Sequence, residues 1–392
     1  MNARRILLEL FDAALRAVDG RASVTRALRG KSNLPVVVFA IGKAASAMAL
    51  GAHDALAEHI EELFVVTKDG HVDPQLRRLK GVTILECSHP VPDDRSLAAG
   101  AELVRRVANL RAEAWPVFLV SGGSSSLVEL LHEGSPLAAL RALNVQGLAA
   151  GWDIAKLNME RTRLSRIKGG GITRLLGNRE AMALFVSDVP GDEPGIIGSG
   201  LLGRGDGEDR VTRVIVANLE VAVGAVVQAA AAHGLTLEIA RQRFDGDATE
   251  VAGAFVAALR GTTADGLVWG GESTVTLPDS PGRGGRNTHL ALAIARQLHA
   301  GETWQVLAAA TDGTDGPTDD AGAIVDSATV ERAEIAGCDV ERAWLGFDSG
   351  AALEAAGDLV YTGPTGTNVG DILIAIKQSS RSLRGQPLPR ML

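Results

Sequence analysis

Six short runs of Val, Ile, Leu and Phe punctuate the first 220 residues, several of them closing on a glycine- or serine-rich turn. This beat constrains the fold more than any other feature. Pro35 to Ile41 (PVVVFAI) leads into Gly42-Lys43 and a helical pattern. Leu63 to Thr67 and Val82 to Cys87 are further runs; Pro116 to Val120 leads into SGGSSS and Ala183 to Ser187 into DVPGDEPG. Arg213 to Ala217 precedes an alanine-rich helix ending at Gly234. Runs this apolar fit strands covered on both faces. Strand–helix alternation predicts an α/β fold whose N-terminal part is a doubly wound, Rossmann-like parallel sheet.

The second half has a different texture. Asp265 to Gly285 reads as a hairpin followed by a glycine loop, with a helix from about Asn287. Trp304 to Ala310 reads as a strand running into TDGTDGPTDD, helices follow, and Asp371 to Ile376 closes the domain as a strand. The expected division is residues 1–240 and 241–392, two α/β domains with no Pro/Ser linker between them.

Composition narrows the function classes. Gly is 46 of 392 residues, about 12% against an average near 7%, while aromatic residues are only 4%. Abundant backbone bends with few aromatic rings suit phosphate-type loops better than base stacking. The formal charge of −8 and the absence of a long Lys/Arg run argue against nucleic acid as a partner. Cys87 and Cys338 form no CxxC or zinc pattern. The first 18 residues read as an amphipathic helix rather than a signal peptide, because Glu9, Asp12 and Arg16 interrupt the apolar run. No stretch approaches the ~20 apolar residues of a membrane span, so a cytoplasmic enzyme is expected.

In open α/β sheets ligands sit beyond the carboxyl ends of the strands, where the polar and glycine-rich segments of this chain gather. Gly42-Lys43 opens a helix, where free N–H groups and a lysine suit a phosphoryl group or a carboxylate. Ser121, Gly122, Gly123, Ser124 and Ser125 form an anion cradle or a tight structural turn. Asp188 and Asp192, and Asp312 and Asp315, lie on tight loops, as metal ligands or as turn formers. Arg283, Arg286 and Asn287 stand in GRGGRN, with Glu272 in GGES upstream; such an arginine suits charge neutralisation in phosphoryl transfer. The basic stretch ending at Lys168 reads as an anion contact or a solvated face. Gly198 to Gly203 spells GxGxxG but lies about ten residues after its nearest strand, out of context for a dinucleotide. The histidines, His71 and His89 included, show no metal or triad spacing.

FAIGKAASAMA, TKDGH, SHPVPDDRS, VSGGSSSLVELL, LSRIKGGG, SDVPGDEPGIIGSG, GGESTVTL, GRGGRN, ATDGTDGPTDDAGAIVD and TGPTGTNVGDILI follow in order. Together they resemble the glycerate 2-kinase family whose C-terminal part is called the MOFRL domain, from about residue 5 to 378. The resemblance implies two α/β domains with the active site in the cleft between them. It implies ATP-dependent phosphorylation of glycerate at the 2-hydroxyl, giving 2-phosphoglycerate. Mg²⁺ is the expected cofactor and D-glycerate the expected acceptor, and a homo-oligomer is left open. The resemblance points to Lys43 and Arg286 as catalytically important; beside them, Asp188 is expected to accept the hydroxyl proton or hold metal, and Asp312 and Asp315 to hold metal. Family members are often labelled hydroxypyruvate reductases, which makes NAD(P)H-dependent reduction the rival reading; a kinase for another small hydroxy acid and a non-catalytic sugar-acid binder are others. The chain departs from the family pattern at Leu201-Leu202 after IIGSG, at Thr288-His289 after GGRN, and in the LNMERTRLS helix.

Overall fold

The structure is a computed structural model and describes residues 2–31, 34–149, 154–205 and 209–378. The chain forms two compact units. One comprises Val18–Leu219 with Pro364–Val369; the other comprises Met1–Ala17, Glu220–Gly363 and the chain from Gly370 onward. The division is therefore not a single cut, because the N-terminal helix joins the C-terminal unit and a short late segment returns to the first.

The first unit holds β1 (Val36–Ile41), β2 (Ile60–Lys68), β3 (Val82–Cys87), β4 (Trp115–Val120), β5 (Ala181–Val186) and β6 (Val211–Ala217). All neighbours are parallel, in the order β3-β2-β1-β4-β5-β6. The six predicted runs are thus the six strands, and the sheet is doubly wound as expected. Every residue of β1 is buried. Val37, Phe39 and Ile41 point to one core with Leu103 and Val107 of the helix Asp94–Ala108. There the Phe39 and Phe118 rings stack at 4.9 Å and Phe64 meets Phe39 edge-on at 6.3 Å. The strand order reverses between β1 and β4, and a crevice opens at such a switch point beyond the strand ends. The two loops there are Gly42-Lys43 and SGGSSS.

The second unit holds β7 (Leu237–Ile239), β8 (Gly266–Gly271), β9 (Trp304–Ala310), β10 (Gly322–Asp326), β11 (Leu359–Val360) and β12 (Asp371–Lys377), ordered β11-β10-β9-β12-β8-β7. Only β7 and β8 run parallel; the other pairs are antiparallel. The helix Ala3–Ala17 belongs here and buries Ile6, Leu7, Leu10, Phe11 and Ala14, the amphipathic stripe its sequence shows. The expected hairpin at 265–285 does not form. β8 takes its antiparallel partner from the distant β12, and beyond Gly271 the chain runs as a loop. Phe244 N–H donates to the Gly270 carbonyl and Glu272 N–H to the Phe244 carbonyl, each at 3.0 Å, so a parallel stretch of backbone occupies the edge a hairpin return would need. Among the described residues no helix is long and apolar enough to cross a membrane.

Candidate active site

In the first unit the switch-point loops interlock. Ser121 N–H continues the ladder to the Ile41 carbonyl at 3.0 Å, Lys43 N–H donates to the Gly122 carbonyl at 2.9 Å, and Ala44 N–H donates to Ser121 Oγ at 3.0 Å. Gly42 has φ +131°, and a Cβ there would sit 2.1 Å from Ser121 Oγ, so only glycine lets β1 end against this loop. A Cβ on Gly122 would lie 1.9 Å from Asp188 Oδ2 and 2.0 Å from Asn368 Nδ2; Asn368 donates to that same oxygen at 2.9 Å. The Gly123 Cα faces the Lys43 stem and the His89 ring, each 3.1 Å from where a Cβ would be. Lys43, Gly42, Ser121, Gly122, Gly123 and Asp188 are therefore one cluster. Asn368 and His89 join it, although neither drew a role from the sequence. Asn368 stands 180 residues from Asp188, and no local pattern links them.

The rest of the serine loop turns inward. Ser124 Oγ is fully buried beside Gly198, and Ser125 Oγ shares a 2.8 Å hydrogen bond with Ser199 Oγ, which donates to Asn158 Oδ1 at 3.0 Å. Of the GxGxxG glycines Gly198 packs on this loop, while Gly200 and Gly203 pack on the backbone at Gly195, in a turn that neither ends a strand nor opens an α-helix. Asp192 accepts from Asn218 Nδ2 at 2.6 Å. Lys168 is neither on a solvated face nor at an exposed anion site: its ammonium pairs with Glu129, both side chains at most 1% exposed. Ser165 Oγ donates to Glu129 Oε1 at 2.5 Å, and Leu130 N–H donates to it at 2.9 Å. Burial pulls the Lys168 ammonium below the ordinary lysine range, and the Glu129 charge opposes it.

In the second unit Arg286 is the first residue of the helix Arg286–Gln297. Its Nε and Nη2 donate to the two oxygens of buried Asp371 at 2.6 and 3.1 Å, and Nη1 pairs with Glu272 at 2.7 Å. Burial works against the guanidinium's charge, but Asp371 and then Glu272 outweigh it and hold the group charged well above its ordinary range. Asp315 caps this helix from a distance. Its oxygens accept from Asn287 N–H (2.9 Å), Asn287 Nδ2 (3.4 Å), Thr288 N–H (2.7 Å) and Thr288 Oγ1 (2.8 Å). Burial pushes its carboxyl up to about 6 against these bonds. Asp312 Oδ1 accepts from Thr314 N–H at 3.0 Å inside its own turn. Arg283 pairs with Glu354 at 2.6 Å and reaches Tyr361 Oη at 3.2 Å, as a strut of the loop.

Among the described residues no group of three or more His, Cys, Asp or Glu side chains is gathered to hold a metal. Mg²⁺ in phosphoryl-transfer sites needs only one or two carboxylates, with phosphate and water completing its shell. Asp188, beside the paired glycines and the Asn368 amide, fits that donor set. Asp315 does not, since both its oxygens are engaged by the helix. Two of the departures from the family pattern are packing features: Leu201 and Leu202 are fully buried, and at the other Thr288 completes the helix cap while His289 stacks between Trp344 and Phe347 at 4.0 and 4.3 Å.

A doubly wound sheet with a lysine and a glycine–serine loop at its switch point, and a second α/β unit with a clamped arginine at a helix head, define a two-unit α/β protein. The comparisons then make the assignment. Residues 6–232 match the family model described as a domain of unknown function, DUF4147, and residues 265–371 match the MOFRL family. The chain belongs to this DUF4147–MOFRL family. A D-glycerate 2-kinase of Thermotoga maritima is 33% identical over 96% of this chain and 98% of its own length. A protein of Agrobacterium vitis named putative hydroxypyruvate reductase is 34% identical, covering 95% and 94%. The crystal structure of a glycerate kinase from Thermotoga maritima superposes with a TM-score of 0.83 at 31% identity, covering 96% of this chain and 99% of that one.

Proposed function

We propose that this chain is a glycerate kinase that uses ATP with Mg²⁺ to phosphorylate the 2-hydroxyl of D-glycerate, giving 2-phosphoglycerate. The observation that carries the reading is the place of Lys43: at the switch point, with its N–H on the Gly122 carbonyl and its stem against Gly123. The relatives named glycerate 2-kinase supply the reaction class. A triphosphate and a carboxylate bring like charges together, and two unit charges 4 Å apart repel by about 4 kcal/mol at an effective dielectric near 20. Lys43 offsets part of this as a compact point charge, whereas Arg286 offers a guanidinium whose plane Asp371 fixes. Bound Mg²⁺ would neutralise phosphate charge and orient the donor. To Asp188, whose Oδ2 accepts from Asn368 Nδ2 at 2.9 Å, we assign the holding of that ion or the acceptance of the hydroxyl proton.

The rival reading, nicotinamide-dependent reduction, follows the name of the Agrobacterium relatives. The first strand-to-helix turn, where a dinucleotide fingerprint belongs, reads Gly42-Lys43-Ala44-Ala45 and carries one glycine instead of three. The test is phosphorus NMR of the protein incubated with ATP, Mg²⁺ and D-glycerate, beside a tube with NADH and hydroxypyruvate. A 2-phosphoglycerate signal is expected, and Lys43→Ala should cut its rate by about 100-fold or more with the fold intact. NADH oxidation without phosphorylated product would overturn the reading. Near-normal turnover of folded Lys43→Ala would remove Lys43 from the mechanism.

A further inference from the structure

Within the first unit a pocket of about 410 Å³ opens beside Lys43. Its walls include Leu50, Pro74 and Pro364 as apolar surfaces, Asp19 and Asp73 as carboxylates and Arg21 as a guanidinium. The walls are fixed. Asp73 N–H donates to Ser46 Oγ at 2.7 Å, tying the 70–74 loop to the helix Ala45–Leu56, and Gly20 N–H donates to the Gly366 carbonyl at 3.3 Å. Asp19 Oδ1 accepts from Ala22 N–H at 2.6 Å and Asp73 Oδ1 from Gln75 N–H at 2.7 Å, so each carboxylate is held in place and keeps a second oxygen.

The chemistry of these walls selects the ligand. Pockets of ~300–1,000 Å³ enclose drug-sized molecules, and a small hydroxy acid would fill only part of this one. The Arg21 guanidinium is taken up by Asp54 and by Gln75 Oε1 at 3.1 Å, which leaves Asp19 and Asp73 to accept hydrogen bonds from the amino and hydroxyl groups of a ligand. The apolar walls suit the face of a flat ring. Lys43 lines the pocket and also lies with its stem against Gly123 of the serine loop. We propose that this pocket takes the nucleoside of the phosphoryl donor, with Asp19 and Asp73 accepting from its amino and hydroxyl groups. The phosphates then leave the pocket along Lys43 toward Ser121–Gly123. The proposal rests on the kinase reading for the identity of the donor.

Val72 lines the pocket and is partly exposed, so Val72→Trp fills it at little cost to the fold. Asp73→Asn removes one accepting charge. The measurements are ATP binding by calorimetry and the KM values for ATP and D-glycerate, on variants whose melting matches the parent. Val72→Trp should weaken ATP binding and raise its KM by about tenfold or more, and Asp73→Asn by a smaller factor, with the glycerate KM unchanged. A raised glycerate KM with ATP untouched would overturn the proposal, as would a folded Val72→Trp protein with both constants at parental values; in both cases the kinase reading stands. ATP binding weakened by Val72→Trp in a protein that phosphorylates no hydroxy acid would sustain the pocket and sink the kinase reading.

Discussion

The buried Lys168–Glu129 pair is the sharpest place to test the physical account of the first unit. Both side chains are withdrawn from water, at 1% and 0% exposure. Removing one partner strands the other's charge, a loss of about 3–5 kcal/mol in buried pairs. The two halves are not equal. After Lys168→Met, Glu129 still accepts from Ser165 Oγ and Leu130 N–H, so the lower end of that range applies. After Glu129→Leu, the ammonium loses its counter-charge, and the upper end applies unless it gives up its proton. The double variant replaces the pair with apolar side chains and should recover most of the loss, since such replacements are often neutral or stabilising. For units of this size each kcal/mol moves the melting temperature by about 2–4 °C, so single variants should melt about 6–20 °C lower. Circular dichroism melts and urea titrations of the four proteins complete the double-mutant cycle, with an expected coupling of at least about 2 kcal/mol. Additive losses, or a Lys168→Met protein as stable as the parent, would refute the reasoning. The KM values for ATP and glycerate should stay at parental values in Lys168→Met assayed well below its melt. A rise would restore Lys168 as an anion contact.

His289, sandwiched between two rings with Nδ1 2.9 Å from Ser349 Oγ, is depressed by burial to about 4. The unfolded chain protonates it near 6.5 and the folded one does not, so its contribution is full above pH 6.5 and drains away as pH falls toward 4, by up to ~3 kcal/mol. Urea midpoints against pH should fall less steeply between 6.5 and 4 in His289→Phe than in the parent, and parallel slopes would clear the histidine of the effect. Asp371→Asn removes the charge that fixes the Arg286 plane; kcat should drop by about 100-fold with KM little changed, and a parental kcat would show that Arg286 needs no such clamp.

The first unit was legible because a parallel sheet buried on both faces leaves one apolar run per strand, and all six runs became β1 to β6. The second unit hid its order. β7 and β11 have three and two residues, too few to show a period, and β10 returns antiparallel directly after the acidic loop, where Gly and Asp suggest a continuing turn. β8 invited a hairpin because local glycines imitate one, while its partner lies at the far end of the chain. The site divides the same way. Positions that depend on local backbone, such as Gly42-Lys43 and Gly122-Gly123, could be read from strand–turn–helix context. The acids could not be sorted, because whether a carboxylate is available depends on what its oxygens already accept. Asp315, read as a metal ligand, has both oxygens occupied by the helix 28 residues upstream. Asp371, read only as the start of a strand, clamps an arginine 85 residues away. One signal was present: in SLVELL, Glu129 is a lone charge in an apolar run, and a charge that must be buried with its neighbours requires a partner elsewhere in the chain. Lys168, directly before three glycines, is that partner. A lone charge inside an apolar run is therefore better read as half of an ion pair than as a flaw in the run.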